Sequence, residues 1–257
     1  MTMETQPRIV IIGGGTGLPV LLRGLKKYDL DITAIVTVAD DGGSSGRLRN
    51  EMQIPPPGDI RNVLAALSDV EPLVEEMFQH RFKTANELSG HSLGNLILAA
   101  MTSITGNFSH AIQEMSRVLN VRGKVLPAAN RSVILNAEMD DGSIVSGESK
   151  IPYSGKRIRR VYLDPKDVRK AKAKKVYICN LMTQAGETLN FTASDHIKAI
   201  YDHLNCAFLD MILINNDDIP EDIELKYKEE RARPVQFDFD LLEELGLEVI
   251  SEKIANL

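Results

Sequence analysis

Arg8-Ile9-Val10-Ile11-Ile12, an apolar and β-branched run, empties directly into Gly13-Gly14-Gly15-Thr16-Gly17, and Leu18 to Lys27 follow at helical spacing. The order is strand, glycine turn, helix. A buried strand ending in glycines lets the main chain turn tightly and brings bare N–H groups against an anion, with the positive end of the helix dipole behind them. Gly13, Gly14, Gly15, Thr16 and Gly17 are therefore candidate phosphate contacts. The spacing is not the complete dinucleotide fingerprint: Gly13 and Gly15 fit its first two glycines, but Leu18 stands where the third belongs. A glycine-rich turn that binds nothing gives the same pattern, and this stretch alone does not separate the two.

Working outward, Ile32 to Ala39 is continuous in apolar and β-branched residues, as parallel strands covered on both faces tend to be, so a βαβ unit is expected. Asp40 falls 23 residues beyond Gly17, near where a dinucleotide fold puts the carboxylate that takes a ribose hydroxyl. Asp40, Asp41, Gly42, Gly43, Ser44 and Ser45, closed by Arg47 and Arg49, read either as a second anion nest or as a flexible polar loop. Pro55-Pro56-Pro57-Gly58-Asp59 is a rigid turn that makes Asp59 the expected N-cap of the next helix. Gly58, Asp59, Arg61 and Asn62 would then face the same cleft.

Further along, Val70 to Phe82 reads as an amphipathic helix, and Ser89 to Asn95 is another glycine turn before a helix from Leu96 to Ile104 that is apolar on nearly every face. His91, Ser92 and Asn95 are thereby carried inside the protein, with His91 either touching a ligand or capping the helix. After a helix over Asn107 to Leu119 the period changes at Gly123, and strands alternating around Asp140-Asp141-Gly142-Ser143 signal a β-hairpin within an excursion at about 123–163. Asp167 to Lys175 is a short basic helix. Lys175 to Asn180 returns to the buried-strand pattern and opens into a polar loop, where Asn180, Thr183 and Gln184 stand at a strand's carboxyl end, the place open α/β sheets use for ligands. Thr192 to Asp195 caps a helix to Leu204, and Met211 to Asn215 is one more buried strand.

With 257 residues and 43% hydrophobic content the chain is long enough for one α/β domain, 1–257, carrying that insertion. A net charge of -6 puts no field behind a grip on nucleic acid phosphates. Met1 to Pro7 lacks the basic start and apolar core of a signal peptide, and no run approaches the roughly 20 apolar residues of a membrane span, so a cytoplasmic protein is expected. Cys179 and Cys206 form no CxxC pair and read as buried, inert thiols.

GGGTGL after the first strand, DDGGSSGRLR after the second, PPPGDIRNVL, GHSLGNLILAA and CNLMTQ with TASDH, in one order from about Arg8 to Asn216, resemble the gluconeogenesis factor family, the YvcK-like bacterial relatives of 2-phospho-L-lactate transferase. The resemblance implies a Rossmann-like, mostly parallel sheet with helices on both faces and the hairpin as an insertion. It implies a nucleotide or UDP-sugar ligand such as UDP-N-acetylglucosamine, and a regulatory role in the cytoplasm, supporting growth and cell shape on gluconeogenic carbon sources. There is one departure. Between Leu163 and Lys175 the family pattern carries a further strand, a Gly-Pro-Gly-Ser turn and a helix, where this sequence has eleven residues. Either the segment has been lost or the sequence omits it; the second is favoured, because deleting a central strand leaves neighbouring main-chain groups unpaired.

Two functions follow. In a binding factor, Gly13 to Gly17 and Asp40 to Gly46 hold the nucleotide and no catalytic group is needed. In a phosphoryl-type transferase like 2-phospho-L-lactate transferase, Asp40, Asp41 or Asp59 holds Mg²⁺ against a diphosphate, and catalysis is positioning plus charge stabilisation. Binding ranks first, because no nucleophile is seen beside a base, His91 aside, and the catalytic residues stay unassigned. A dehydrogenase ranks last, for want of the third glycine and a proton-transfer residue. Edge strands would let two copies pair as a homodimer, with no interface identified.

Overall fold

The computed structural model describes residues 6–70, 72–83, 85–164, 175–184, 187–204, 206–229 and 231–253. The basic helix expected over Asp167 to Lys175 lies, Lys175 apart, outside the described residues. The two apolar runs at the start pair as their composition requires. β1 (Arg8–Gly13) lies parallel to β2 (Asp31–Val36), with Ile9 opposite Ile32 and Gly13 opposite Val36, and α1 (Gly17–Leu25) makes the crossover between them. β3 (Lys124–Pro127) adds parallel to the far side of β2, a strand that the change of period at Gly123 did not announce.

Helices flank this sheet. α3 (Gly58–Leu67) is its packing centre: Ile60, Val63, Leu64, Ala65, Ala66 and Leu67 are all buried, against Leu18 and Leu22 of α1 and Ile32, Ala34 and Val36 of β2. Burial of each large aliphatic side chain contributes about 1.5–3 kcal/mol, which is why this helix is held at a fixed height over the strand ends. α4 (Pro72–Gln79), α5 (Leu93–Thr105) and α6 (Phe108–Val118) continue the layer, and Phe78, Leu98, Phe108 and Ile112 close the core. α5 is less buried than its apolar sequence suggests: Ile104 is 76% exposed, and only the face carrying Gly94, Asn95, Leu98, Ala99 and Thr102 is covered.

The Asp40–Arg47 stretch is not a loop throughout. α2 (Gly43–Met52) starts inside it, a helix poor in propensity and supported instead by Leu48 packing on Ile54 and Ala99. Arg49, 8% exposed, donates to the carbonyls of Ala39 at 3.2 Å and Val133 at 2.8 Å and so ties the helix down.

β4 (Ile134–Met139) and β5 (Ile144–Ser146) form the hairpin read from Asp140 to Ser143, with β6 (Ile158–Asp164) on the other side of β4. A second parallel sheet holds β7 (Val176–Ile178), β8 (Met211–Asn215) and β9 (Glu248–Glu252), in that order, with α7 (Ala193–Leu204), α8 (Glu221–Glu229) and α9 (Phe239–Glu244) between them in sequence. Its core is Cys179, Ala193, Ile197, Ile212, Ile214, Val235, Leu242 and Leu247. Cys179 is buried as read, whereas Cys206 is exposed. By contacts the chain divides into two compact units, the first carrying the β1–β2–β3 sheet and the second the β7–β8–β9 sheet. Among the described residues no helix is long and apolar enough to cross a membrane.

Candidate functional site

In the first unit, the carboxyl ends of β1 and β2 face the amino ends of α2 and α3. The glycine turn is there, but the N–H of Gly15 already has an internal partner. Gly15 N–H donates to Asp59 Oδ2 at 2.9 Å, and Thr37 Oγ1 donates to the same oxygen at 3.1 Å. Asp59 thus does not cap its own helix: Pro57 holds the cap position of α3, with no side-chain cap, and the carboxylate reaches back to the first turn. The close approach needs Gly14, where a Cβ would lie 2.0 Å from Thr37 Oγ1 and 2.6 Å from Asp59 Oδ2.

The open anion-binding end belongs to α2. Asp40 Oδ1 accepts from Gly42 N–H at 2.9 Å and fixes the entry, after which the N–H groups of Gly43, Ser44 and Ser45 have no acceptor within the helix and no side chain caps them. They open on a cavity of about 230 Å³ lined by Asp40, Gly42, Gly43, Ser44, Ser45, Gly58, Asp59, Arg61, Asn62, Arg81 and Asn95. Gly58 is the residue that lets α3 come so near, since a Cβ there would stand 2.3 Å from Ser45 Oγ.

Two guanidinium groups, those of Arg61 and Arg81, line the cavity beside the carboxylates of Asp40 and Asp59. Arg61 is only 7% exposed; its Nη1 donates to Gln79 Oε1 at 2.6 Å and its Nη2 to Asn62 Oδ1 at 2.8 Å. Burial, and then the Arg81 charge, push Arg61 down to about 10 against a smaller opposing pull from Asp59, so it keeps its proton at neutral pH. Arg61 Nε and Asn95 Oδ1 are buried with no hydrogen-bond partner, two groups prepared for something absent from the protein itself. Arg81, which the sequence reading passed over as the end of an amphipathic helix, is held beside the cavity by a bridge to Ser92 and by donation to Gly90 O. The clue was a basic residue just past the end of α4.

Behind the cavity wall Ser44 Oγ lies 2.9 Å from His91 Nδ1 and receives Asn95 Nδ2 at 3.0 Å, so a hydroxyl does stand beside an imidazole, a pairing across 47 residues that no local pattern displays. Ser92 caps α5 by accepting from Asn95 N–H. Arg47 donates to Glu87 O at 3.0 Å and Ser89 O at 2.5 Å, and with Arg49 on Ala39 and Val133 the two arginines read as closing the nest hold main chain instead. Asp41 accepts from Ser149 N–H at 2.8 Å and does not line the cavity. Asn180, Thr183 and Gln184 belong to the second unit. Asn180 is exposed there, Thr183 exchanges hydrogen bonds with Arg233 at 2.6 and 2.9 Å, and Gln184 N–H donates to Thr188 Oγ1 at 2.9 Å.

A larger hollow, about 490 Å³, lies against the amino ends of the strands in the first unit, lined by Lys26, Tyr28, Asp29 and Arg122 among others. Its charges are spent internally: Lys26 Nζ donates to Ser68 O at 2.7 Å, and Arg122 to Asp69 at 3.2 Å and to Lys26 O at 3.2 Å. The smaller cavity, at the carboxyl ends, is the site such sheets use. Among the described residues no three His, Cys, Asp or Glu side chains stand together as a metal site.

His91 in the first unit and His196 in the second are both buried, and desolvation, more than any neighbouring charge, holds each ring below the ordinary imidazole value of 6.5. For His91 the charges of Arg47 and Arg81 act in the same direction, against Glu51. The unfolded chain therefore takes up protons as the pH falls through 6.5 before the folded chain does. Stability is full above that value and declines on acidification, at up to about 1.4 kcal/mol per pH unit for each ring. Urea melts at pH 7.5 and 5.5 should show the decline, and His196→Gln should remove part of it; an equal decline in that variant refutes the assignment to His196.

The family model for 2-phospho-L-lactate transferase CofD matches residues 9–171 and 165–255. The chain is 60% identical to the gluconeogenesis factor of Bacillus subtilis, covering 98% of this chain and 92% of that protein, and 54% identical to that of Halalkalibacterium halodurans, covering 95% and 88%. A crystal structure of a Bacillus halodurans protein superposes with a TM-score of 0.93 at 53% identity, over 97% of this chain and 93% of that one. The Bacillus subtilis alignment runs over 292 residues against 257 here, and the two pieces of the family match overlap at 165–171. The chain belongs to the family of 2-phospho-L-lactate transferase CofD, on its gluconeogenesis factor branch.

Proposed function

We propose that this chain is a cytoplasmic, regulatory nucleotide-sugar-binding factor that takes a UDP-sugar such as UDP-N-acetylglucosamine and through it supports growth and cell shape on gluconeogenic carbon sources. The observation that carries the reading is the cavity at the amino end of α2. Three helix N–H groups without an acceptor in the helix and two guanidiniums, Arg61 and Arg81, border a volume of about 230 Å³. That donor set suits the oxygens of a diphosphate. Asp40 and Asp59 supply the acceptors that a ribose or sugar hydroxyl needs, and the Gly13–Gly17 turn serves by fixing Asp59.

The second reading, an Mg²⁺-dependent phosphoryl-type transferase, draws on the same two carboxylates. Mg²⁺ is commonly held by one or two carboxylates with phosphate oxygens completing the shell, and Asp40 and Asp59 both line the cavity. Bound there, Mg²⁺ would neutralise charge on the diphosphate. Titration calorimetry separates the readings: the binding factor takes UDP-N-acetylglucosamine, in preference to GDP or NAD, with the same affinity whether or not Mg²⁺ is present. An affinity that rises with Mg²⁺ and loses that rise in Asp40→Asn favours the transferase, and no binding of any uridine nucleotide defeats the first reading.

A further inference from the structure

Ser44 lines the cavity, and its Oγ lies 2.9 Å from His91 Nδ1. It is the central residue of Gly42-Gly43-Ser44-Ser45-Gly46, a G-x-S-x-G run between a sheet and the helix it leads into, a sequence that elsewhere exposes a nucleophilic serine at a tight turn. Asn95 Nδ2 donates to Ser44 Oγ at 3.0 Å, and with the Nε2–H tautomer of His91 the hydroxyl proton of Ser44 lies toward His91 Nδ1 at 2.9 Å. The three residues are 5%, 6% and 2% exposed, so no solvent competes for these bonds. A capping role accounts for none of this: α2 has Gly42 at its cap position and α5 has Ser92. The imidazole faces Arg47 and Arg81 and, with the opposite effect, Glu51; with burial these keep it neutral, the form a base requires.

We propose that Ser44 is a nucleophile and His91 its general base, and that the site carries the distal phosphosugar of a nucleoside diphosphate sugar on Ser44 as a covalent phosphodiester. The proposal rests on the binding function argued above and adds a reaction to it. Ser44 Oγ bonds to the distal phosphorus as its proton passes to His91 Nδ1. The bond from that phosphorus to the bridging oxygen breaks, its electron pair leaves with the nucleoside monophosphate, and Arg61, Arg81 and the N–H groups of α2 balance the charge on the phosphoryl oxygens. A hydroxyl compound, water being the simplest, then displaces Ser44: its oxygen bonds to phosphorus, the bond from phosphorus to Ser44 Oγ breaks as His91 returns its proton to Oγ, and the proton of the attacking hydroxyl passes to solvent water.

The test uses the full chain with UDP-N-acetylglucosamine. Acid-quenched samples examined by intact mass and peptide mapping should show an N-acetylglucosamine-phosphate adduct on Ser44, with UMP released in step. Ser44→Ala should abolish both, and His91→Gln should slow adduct formation at least a hundredfold and flatten its pH profile. If calorimetry shows binding but no adduct and no UMP appear, the covalent step is wrong and the binding function stands. UMP release that persists in Ser44→Ala also overturns it, and absence of binding in the wild type removes both.

Discussion

Replacing Gly46 by alanine is expected to destabilise the first unit by about 3 kcal/mol, although alanine is the better helix former by about 1 kcal/mol. The added Cβ would stand 2.0 Å from the carbonyl oxygen of Asp41 and 2.5 Å from its carbon, main-chain atoms that have no rotamer to turn away. Gly46 N–H also donates to Gly42 O at 2.9 Å, so a shift that relieves the clash loosens the first turn of α2 and the N–H groups aimed at the cavity. Gly24 is the control. It lies within α1, with nothing within 4 Å of the position its Cβ would take, and Gly24→Ala should gain up to about 1 kcal/mol. Urea denaturation of the two variants should therefore move in opposite directions; a Gly46→Ala protein as stable as the wild type contradicts the tight turn.

Why such a turn was half visible in the sequence follows from what each element depends on. β1, β2 and β8 are continuous apolar runs, so composition alone announces them, and Asp140 to Ser143 carries its own hairpin chemistry. α2 carries no such mark, because Gly43-Ser44-Ser45-Gly46 opposes helix and the helix exists through Leu48 on Ile54 and Ala99 and through Arg49 on two distant carbonyls. β9 hides in the acidic end of the chain, where Glu248 and Glu252 flank only three apolar or small residues, and its evidence is the parallel register with β8.

The candidate site divides in the same way. Ten of the residues picked from local patterns line the cavity: Asp40, Gly42, Gly43, Ser44, Ser45, Gly58, Asp59, Arg61, Asn62 and Asn95. Glycine turns and helix starts are local, and the chain gathers them at one end of a sheet. What occupies each donor is not local. Gly15 N–H meets Asp59 from 44 positions away, and Ser44 meets His91 from 47. Tertiary placement decides both pairings. It also sends Asp41 to Ser149, outside the cavity lining.

Arg61→Met should weaken UDP-N-acetylglucosamine binding by ten- to a hundredfold while leaving a folded protein, the loss expected for about 1.5–3 kcal/mol in hydrogen bonds to a charged group. Methionine keeps most of the stem that packs against α5, where Gly94 lies so near that a Cβ would meet Arg61 Cγ and Cδ at 2.9 Å. What disappears is the guanidinium, and with it the desolvation cost that already pushes its ionisation down to about 10. Gln79 Oε1 and Asn62 Oδ1 lose a donor, which offsets part of the gain, so stability should change little. Arg61→Lys should fall between the two, because an ammonium keeps the charge and loses the planar fork that could serve Gln79, Asn62 and a phosphate oxygen together. Calorimetry on the three proteins at two salt concentrations decides it: a folded Arg61→Met protein that binds as tightly as the wild type would show that the diphosphate does not lie against this side chain.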